Sequence, residues 1–180
     1  DIEFADKITE RGYQSVFVGP YTSIDPIAVL KKSRKVKLAI KKEFELPLEE
    51  LSSGANPLKT SNVYFKELKS GEITYEECRP LLQTEQLDQF PLTTEYFHRQ
   101  LDISKYKTPS ELYPFIDVMS GRGCAWGKCN FCLWVQTFVV ENRPKSIYNL
   151  RSIGRFMDEF DYVVRFMPDV KSIMIQDDLL

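Results

Sequence analysis

Long apolar runs are missing from this chain of 180 residues. None approaches the roughly 20 residues that a membrane-spanning helix requires, and "DIEFADKITERGYQ" at the N-terminus lacks the basic-then-apolar order of a secretory signal. No membrane span is therefore expected. Charge of one sign is also missing: 24 Lys and Arg face 26 Asp and Glu, for a formal charge of −2. That balance gives no general electrostatic pull toward nucleic acid or an anionic membrane, and neither is expected as a partner. Repeats and low-complexity segments are absent. Histidine occurs once, as His98 in "TTEYFHRQL", a helical stretch to which no role is assigned, and cysteine occurs four times. A cytoplasmic, reducing setting is the default, and there disulfides are disfavoured. What is present is a hydrophobic fraction of 43% with frequent aromatics, which describes a globular chain of one domain or two small ones.

The first third has an α/β rhythm. Ile2, Phe4, Ala5 and Ile8 recur at helical spacing, and Gly12 is placed to end that helix. "SVFVGP" reads as a buried strand closed by Gly19 and Pro20, "PIAVLKKS" as a helix capped by Asp25 or Ser23, "VKLAI" as a second strand with "KKEFE" as its exit, and "LPLEELSSG" as a short helix ended by Gly54. This order suits a parallel sheet covered on both faces. "SNVYFKELKSGEITYEE" then reads as a β-hairpin turning at Ser70 and Gly71, followed by a proline- and aromatic-rich ordered connector. "FIDVMSGRGC" is a strand entering a glycine-rich loop, residues from about 146 to 166 form a helix with Ile147, Leu150, Ile153, Met157, Phe160, Val163 and Val164 on one face, and "KSIMIQ" is a further strand. Both ends read as interrupted, so a fragment of a longer protein is expected.

Three of the four cysteines fall within nine positions: Cys124, Cys129 and Cys132, spaced C-x4-C-x2-C in "GRGCAWGKCNFC". They follow a strand, and Gly121, Gly123 and Gly127 allow the backbone to come close without Cβ clashes, as a metal-holding nest requires. Structural zinc normally closes its tetrahedron with four ligands, whereas a [4Fe–4S] cluster held by three thiolates keeps one iron open. Cys78 or His98 could complete a zinc site, and an unmetallated cysteine cluster is the third reading. Cys78 by itself reads as a small apolar residue beside a strand.

The stretch from Asp117 to Asp178 resembles the opening of a radical S-adenosylmethionine (SAM) enzyme of the cobalamin-dependent class. It carries the cysteine loop after the first barrel strand, an aromatic residue, Phe131, before the last cysteine, the basic "NRPKS", a long helix, and an apolar strand ending in "QDD". "SVFVGP" with "PIAVLKK", then "EFELPLEELSSG", is similar to the second half of the cobalamin-binding Rossmann-like domain. The resemblance implies three segments: part of that domain over 1–55, a hairpin and connector over 56–112, and the first β-α-β of the radical SAM barrel over 113–180. Two departures are visible. The superfamily's commonest cysteine spacing is C-x3-C-x2-C, one residue shorter, and Lys42 stands where related sequences tend to carry glycine.

The resemblance implies that Cys124, Cys129 and Cys132 hold a [4Fe–4S] cluster whose open iron binds SAM, with cleavage to methionine and a 5′-deoxyadenosyl radical. Phe131 would position the adenine, or merely pack. Asp177 and Asp178, at the exit of the second barrel strand, would meet the SAM amino group, or cap a helix. Gly19, Pro20 and Glu43, at the strand exits of the first sheet, would contact cobalamin, or in the case of Gly19 and Pro20 merely turn the chain. The D-x-H-x-x-G motif that gives a histidine to cobalt in some cobalamin proteins is absent, so that ligand lies before Asp1 or does not exist. The basic Arg143 and Lys145 are read as solvated. The implied activity is methyl transfer to an unactivated carbon of a small-molecule or peptide substrate, with flavodoxin or ferredoxin as electron donor. The alternatives are a radical cyclisation or oxidation of the anaerobic porphyrin cyclase type and, from a different class, a non-catalytic zinc-stabilised binding module. Two barrel strands cannot enclose a radical, so turnover by this chain alone is not expected.

Overall fold

A computed structural model describes residues 1–129, 131–133, 137 and 148–177. Two compact units emerge: Asp1–Leu81 joined by the described residues from Cys129 to Thr137, and Leu82–Lys128 joined by the described residues from Tyr148 onward.

In the first unit, α1 (Ile2–Glu10) leads to β1 (Val16–Phe17), α2 (Pro20–Ile24), α3 (Pro26–Lys32), β2 (Leu38–Ile40) and α4 (Glu45–Ser52). The expected elements are present, with α2 added between Gly19 and Asp25. Gly12 and Gly54 follow α1 and α4 in the left-handed region that glycine adopts without a Cβ penalty, at φ 93° and 91°. Asp25 is the cap of α3, its carboxylate accepting the Ala28 N–H at 2.8 Å. β1 and β2 are parallel, with Val16 opposite Leu38. The parallel pairing expected for the first third is present in these two strands. The hairpin, β3 (Val63–Lys66) and β4 (Ile73–Tyr75), adds antiparallel to β2 and completes a sheet ordered β1-β2-β3-β4. The hairpin therefore belongs to this sheet and not to a separate connector. Leu30, Ala39 and Tyr64 form the core, with Phe17, Ile27 and Ile73 packed against them.

Two polar anchors hold this unit. Asp6 of α1 accepts the Arg34 and Lys35 N–H groups at 2.9 and 3.0 Å and the Ser33 hydroxyl. Partial burial alone would raise its pKa; these hydrogen bonds outweigh it and hold the carboxyl below its usual range. Lys66 is buried, and its Nζ donates to the carbonyls of Leu30 at 2.6 Å and Ser33, at the C-terminal end of α3. Those carbonyls lack intrahelical partners and carry the negative end of the helix dipole, which is why a cation is accepted there. Desolvation pushes the ammonium's pKa down, with Asp6 partly opposing.

The second unit begins with α5 (Thr84–Leu87) and α6 (Thr93–Gln100) and continues through β5 (Phe115–Val118), β6 (Gly121–Gly123), β7 (Tyr148–Leu150), α7 (Ile153–Phe166) and β8 (Ser172–Ile175). β5 and β8 are parallel, from Phe115 opposite Ser172 to Val118 opposite Ile175, and α7 is the crossover between them. Ile116, Val163 and Met167 form the core with Phe97, Ile103 and Ile173 around them.

The helix expected from about 146 starts later. Tyr148–Leu150 is a strand paired antiparallel with β6, and Ser152 caps α7 by accepting the Arg155 N–H at 3.2 Å. The reason is Gly121. A Cβ there would stand 2.4 Å from the Asn149 carbonyl oxygen, so only glycine admits this strand pairing. The expected apolar face is likewise corrected: Val163 is buried, but Ile153 and Val164 are 82% and 78% exposed, and Ile147 lies outside the described residues. Glu159, not an apolar residue, fills the buried side of the helix with Val163.

Candidate functional site

Both parallel pairs end in loops that carry the residues expected to function. In the second unit the chain leaves β5 at Val118, turns at Ser120 and runs through β6 directly into Cys124. Gly123 and Gly127 have φ values of 83° and 55°, so the backbone turns sharply on either side of Cys124 in conformations that favour glycine. Gly121 serves the β6–β7 contact instead of the nest first assigned to it. Trp126 is exposed, with the Lys128 ammonium 5.0 Å from its ring centre.

Cys129 and Cys132 belong to the first unit. The Cys132 N–H donates to the Cys129 carbonyl at 3.2 Å, closing a turn that holds these two residues on one short loop. Phe131, beside Cys132, is 92% exposed. All four cysteines are free of disulfides and half-buried. Among the described residues, no three Cys, His, Asp or Glu side chains gather closely enough to hold a metal ion. Three free thiols with solvent access, on glycine-relieved loop backbone, are nonetheless the donor chemistry that an iron–sulfur cluster takes.

Asp177 sits at the C-terminal end of β8, as expected. Its oxygens accept the Ser120 N–H at 2.8 Å and the Ser120 hydroxyl. Asp178, Arg143 and Lys145 lie outside the described residues. Ser120 was not singled out from the sequence, although a serine directly before a glycine-rich loop is an ordinary turn signal.

At the corresponding edge of the first unit, the loops after β1 and β2 come together. Gly19 takes φ 97° and starts α2; Ser23 donates its hydroxyl to the Gly19 carbonyl at 3.0 Å and accepts the Lys42 N–H at 2.8 Å. Gly19, Pro20, Lys42 and Glu43 thus lie on one edge, at the carboxyl ends of two parallel strands. Lys42 has φ 67°, a region glycine adopts more readily than a residue with a Cβ. Glu43 is buried, whereas Val18, Tyr21 and Ile24 expose apolar surface beside Gly19. Sequence reading missed Ser23 as the link between the two loops, because it assigned that residue to a helix cap.

A polar network supports the second unit. Glu159 is fully buried and accepts from Thr93 N–H at 3.0 Å, Thr94 N–H at 2.9 Å, Thr94 Oγ1 at 2.6 Å and Arg151 Nη1 at 2.7 Å. Burial alone would raise its pKa; the hydrogen bonds from Thr94, Arg151 and Thr93 prevail and hold it low. Asp88 accepts the Ser152 N–H at 2.9 Å, and Arg155 donates to the Phe90 carbonyl at 2.8 Å. Together these contacts fix the start of α7 against the α5–α6 connection.

No protein-family model and no curated protein matches the chain. Solved structures do. The chain is similar to the apo, selenomethionine-labelled cobalamin-dependent S-adenosylmethionine radical enzyme OxsB, with a TM-score of 0.65 and 15% identity over 98% of this chain and 23% of that one. OxsB with aqua-cobalamin and S-adenosylmethionine bound matches with a TM-score of 0.58 and 16% identity over the same shares, 98% and 23%. The radical S-adenosylmethionine methyltransferase TsrM from Kitasatospora setae, with cobalamin and a [4Fe–4S] cluster bound, matches with a TM-score of 0.54 and 16% identity over 91% of this chain and 30% of that one. The chain therefore has the mixed α/β fold of part of these enzymes, and it spans less than a third of their length.

Proposed function

We propose that this chain is the junction segment of a cobalamin-dependent radical SAM enzyme, comprising the latter part of a cobalamin-binding domain and the first β-α-β of the catalytic barrel. The observation that supports the reading is three free cysteines closely spaced along the chain after β5 and β6, with β5 paired in parallel with β8 across a helical crossover, within a fold like that of part of OxsB and TsrM. Cys124, Cys129 and Cys132 would hold a [4Fe–4S] cluster, which when bound supplies the electron that cleaves the sulfonium of SAM. The chain's own task is then to bind and orient. Phe131, exposed beside Cys132, offers its ring to the adenine face. In the first unit, Gly19 and Pro20 turn the backbone at the sheet edge, and exposed Val18, Tyr21 and Ile24 give an apolar surface for a corrin ring. Glu43, at the exit of β2, borders the same edge. Methyl transfer to an unactivated carbon is the reaction class we assign, supported by the methyltransferase among the similar structures.

Anaerobic reconstitution tests the cluster. Iron and sulfide should load in equal amounts, Cys78→Ala should leave loading intact, and Cys129→Ala should abolish it. Zinc bound without sulfide would overturn the enzyme reading in favour of a zinc-stabilised module. The cobalamin half is tested separately by titrating the full chain with hydroxocobalamin: the visible spectrum should shift, and an unchanged spectrum removes cobalamin from the proposal.

A further inference from the structure

The β5–β8 ladder is closed at its lower end by Lys171 N–H to the Pro114 carbonyl at 2.7 Å and near its upper end by Gln176 N–H to the Val118 carbonyl at 2.8 Å. One residue further, the pairing continues in a different form. The Asp177 carboxylate takes both donors of Ser120, its N–H at 2.8 Å and its hydroxyl, while the Ser120 carbonyl accepts the Arg151 N–H at 2.8 Å. Ser120 is the corner at which the chain leaves the β5–β8 pair and enters the β6–β7 pair, with Gly121 next on the chain opposite Leu150. Its three backbone and side-chain polar groups are all tied, two of them to one carboxylate. Cys124 lies four residues on, directly after Gly123, the last residue of β6.

We infer that Asp177 is a positioning residue for Cys124: it clamps the Ser120 corner, and through β6 fixes where the first thiol of the loop stands. The role expected from the sequence, a direct contact with the amino group of SAM, asks the same carboxylate to face a ligand; here both its oxygens face Ser120. Hydrogen bonds to an ionised acceptor are shorter and roughly twice as strong as neutral ones. Two of them on one residue are sufficient to decide which way a corner turns. The consequence for a cluster rests on the function proposed above, but the clamp itself is a property of the protein without metal.

The test measures alkylation of individual cysteines by iodoacetamide in the native, metal-free chain, read by mass spectrometry, beside iron loading. Asp177→Asn replaces an acceptor oxygen with an amino group that cannot accept from Ser120. Its Cys124 should alkylate about tenfold faster, the factor set by losing one such bond, while Cys78 in the same molecules keeps its rate, and iron loading should fall. Ser120→Ala removes only the hydroxyl bond and should move Cys124 in the same direction by less, whereas Ser120→Thr should restore the wild-type rate. An unchanged Cys124 rate, or a rise shared equally by Cys78, overturns the clamp. If Asp177→Asn does not fold, the Ser120 pair decides by the same criteria. Failure of the wild-type chain to load iron would instead overturn the proposed function and leave the alkylation result standing.

Discussion

The two units solve the same packing problem with charges of opposite sign. Each buries an ionised side chain against the end of a helix in its own half. In the first, Lys66 reaches from β3 to the carbonyls of Leu30 and Ser33 at the C-terminus of α3. In the second, Glu159 reaches from α7 to the N–H groups of Thr93 and Thr94 at the N-terminus of α6. Both choices follow from the helix dipole, which presents partial negative charge at one end and positive at the other. The difference lies in completeness. Glu159 has a buried counter-ion in Arg151, whereas the partners described for the Lys66 ammonium are backbone carbonyls. An anion compensated by four hydrogen bonds and an opposite charge keeps its charged form favoured; a cation facing neutral carbonyls is left with a net desolvation cost. The opposing balances explain why the Glu159 pKa falls, toward the charged state, while that of Lys66 also falls, away from it.

Replacing Glu159 tests the stronger of the two anchors. Glu159→Ala leaves the Arg151 guanidinium buried without its partner and two helix N–H groups unmet, and should destabilise the second unit by about 3–5 kcal/mol. Hydrogen exchange in peptides from α6 and α7 should rise accordingly. Because Glu159 titrates below its ordinary range when folded, its contribution is present above that range and is lost as the pH falls through the folded value. The wild-type protein should therefore lose α6 and α7 protection in acid, and Glu159→Gln should flatten that dependence. Protection that is unaffected by either substitution would break the comparison.

A smaller effect is expected at Lys66. Lys66→Met keeps most of the stem but leaves the Leu30 and Ser33 carbonyls without their donor, which should cost about 1–3 kcal/mol. The sign with pH is the same as for Glu159, since both folded pKa values are depressed, but the window is alkaline instead of acidic. A lysine whose folded pKa is depressed binds its proton more weakly in the folded state than in the unfolded one, so the desolvation cost is fully present at neutral pH and is relieved as pH rises between the folded and ordinary values. Exchange protection in β2 and β3 should strengthen mildly through that alkaline window in the wild type and not in Lys66→Met.

The elements legible in advance were those whose signal is local. α1 with Gly12, α3 with its Asp25 cap, the hairpin around Gly71, and the apolar strands β2, β5 and β8 each carry their pattern within a few residues. β7 was not legible, because "YNL" becomes a strand only where Gly121, far back along the chain, admits it. The apolar stripe of α7 misled for a related reason: periodicity identifies a face, but which of its residues meet a core depends on what stands opposite. Val163 found Ile116 and Met167, while Ile153 and Val164 remain exposed.

For the site the division is sharper. Residue type and spacing alone identified three closely spaced thiols as candidate donors after a strand, since donor chemistry and chain spacing are local properties. Only the tertiary structure decided that the Asp177 carboxylate turns to Ser120, that Ser23 joins the two loops at the edge of the first sheet, and that Lys66 and Glu159 are buried as ions. Each of those outcomes pairs a polar group with a backbone donor or acceptor distant in the chain, and the free energy of burying such a group is set by the partner it meets, which no local pattern encodes.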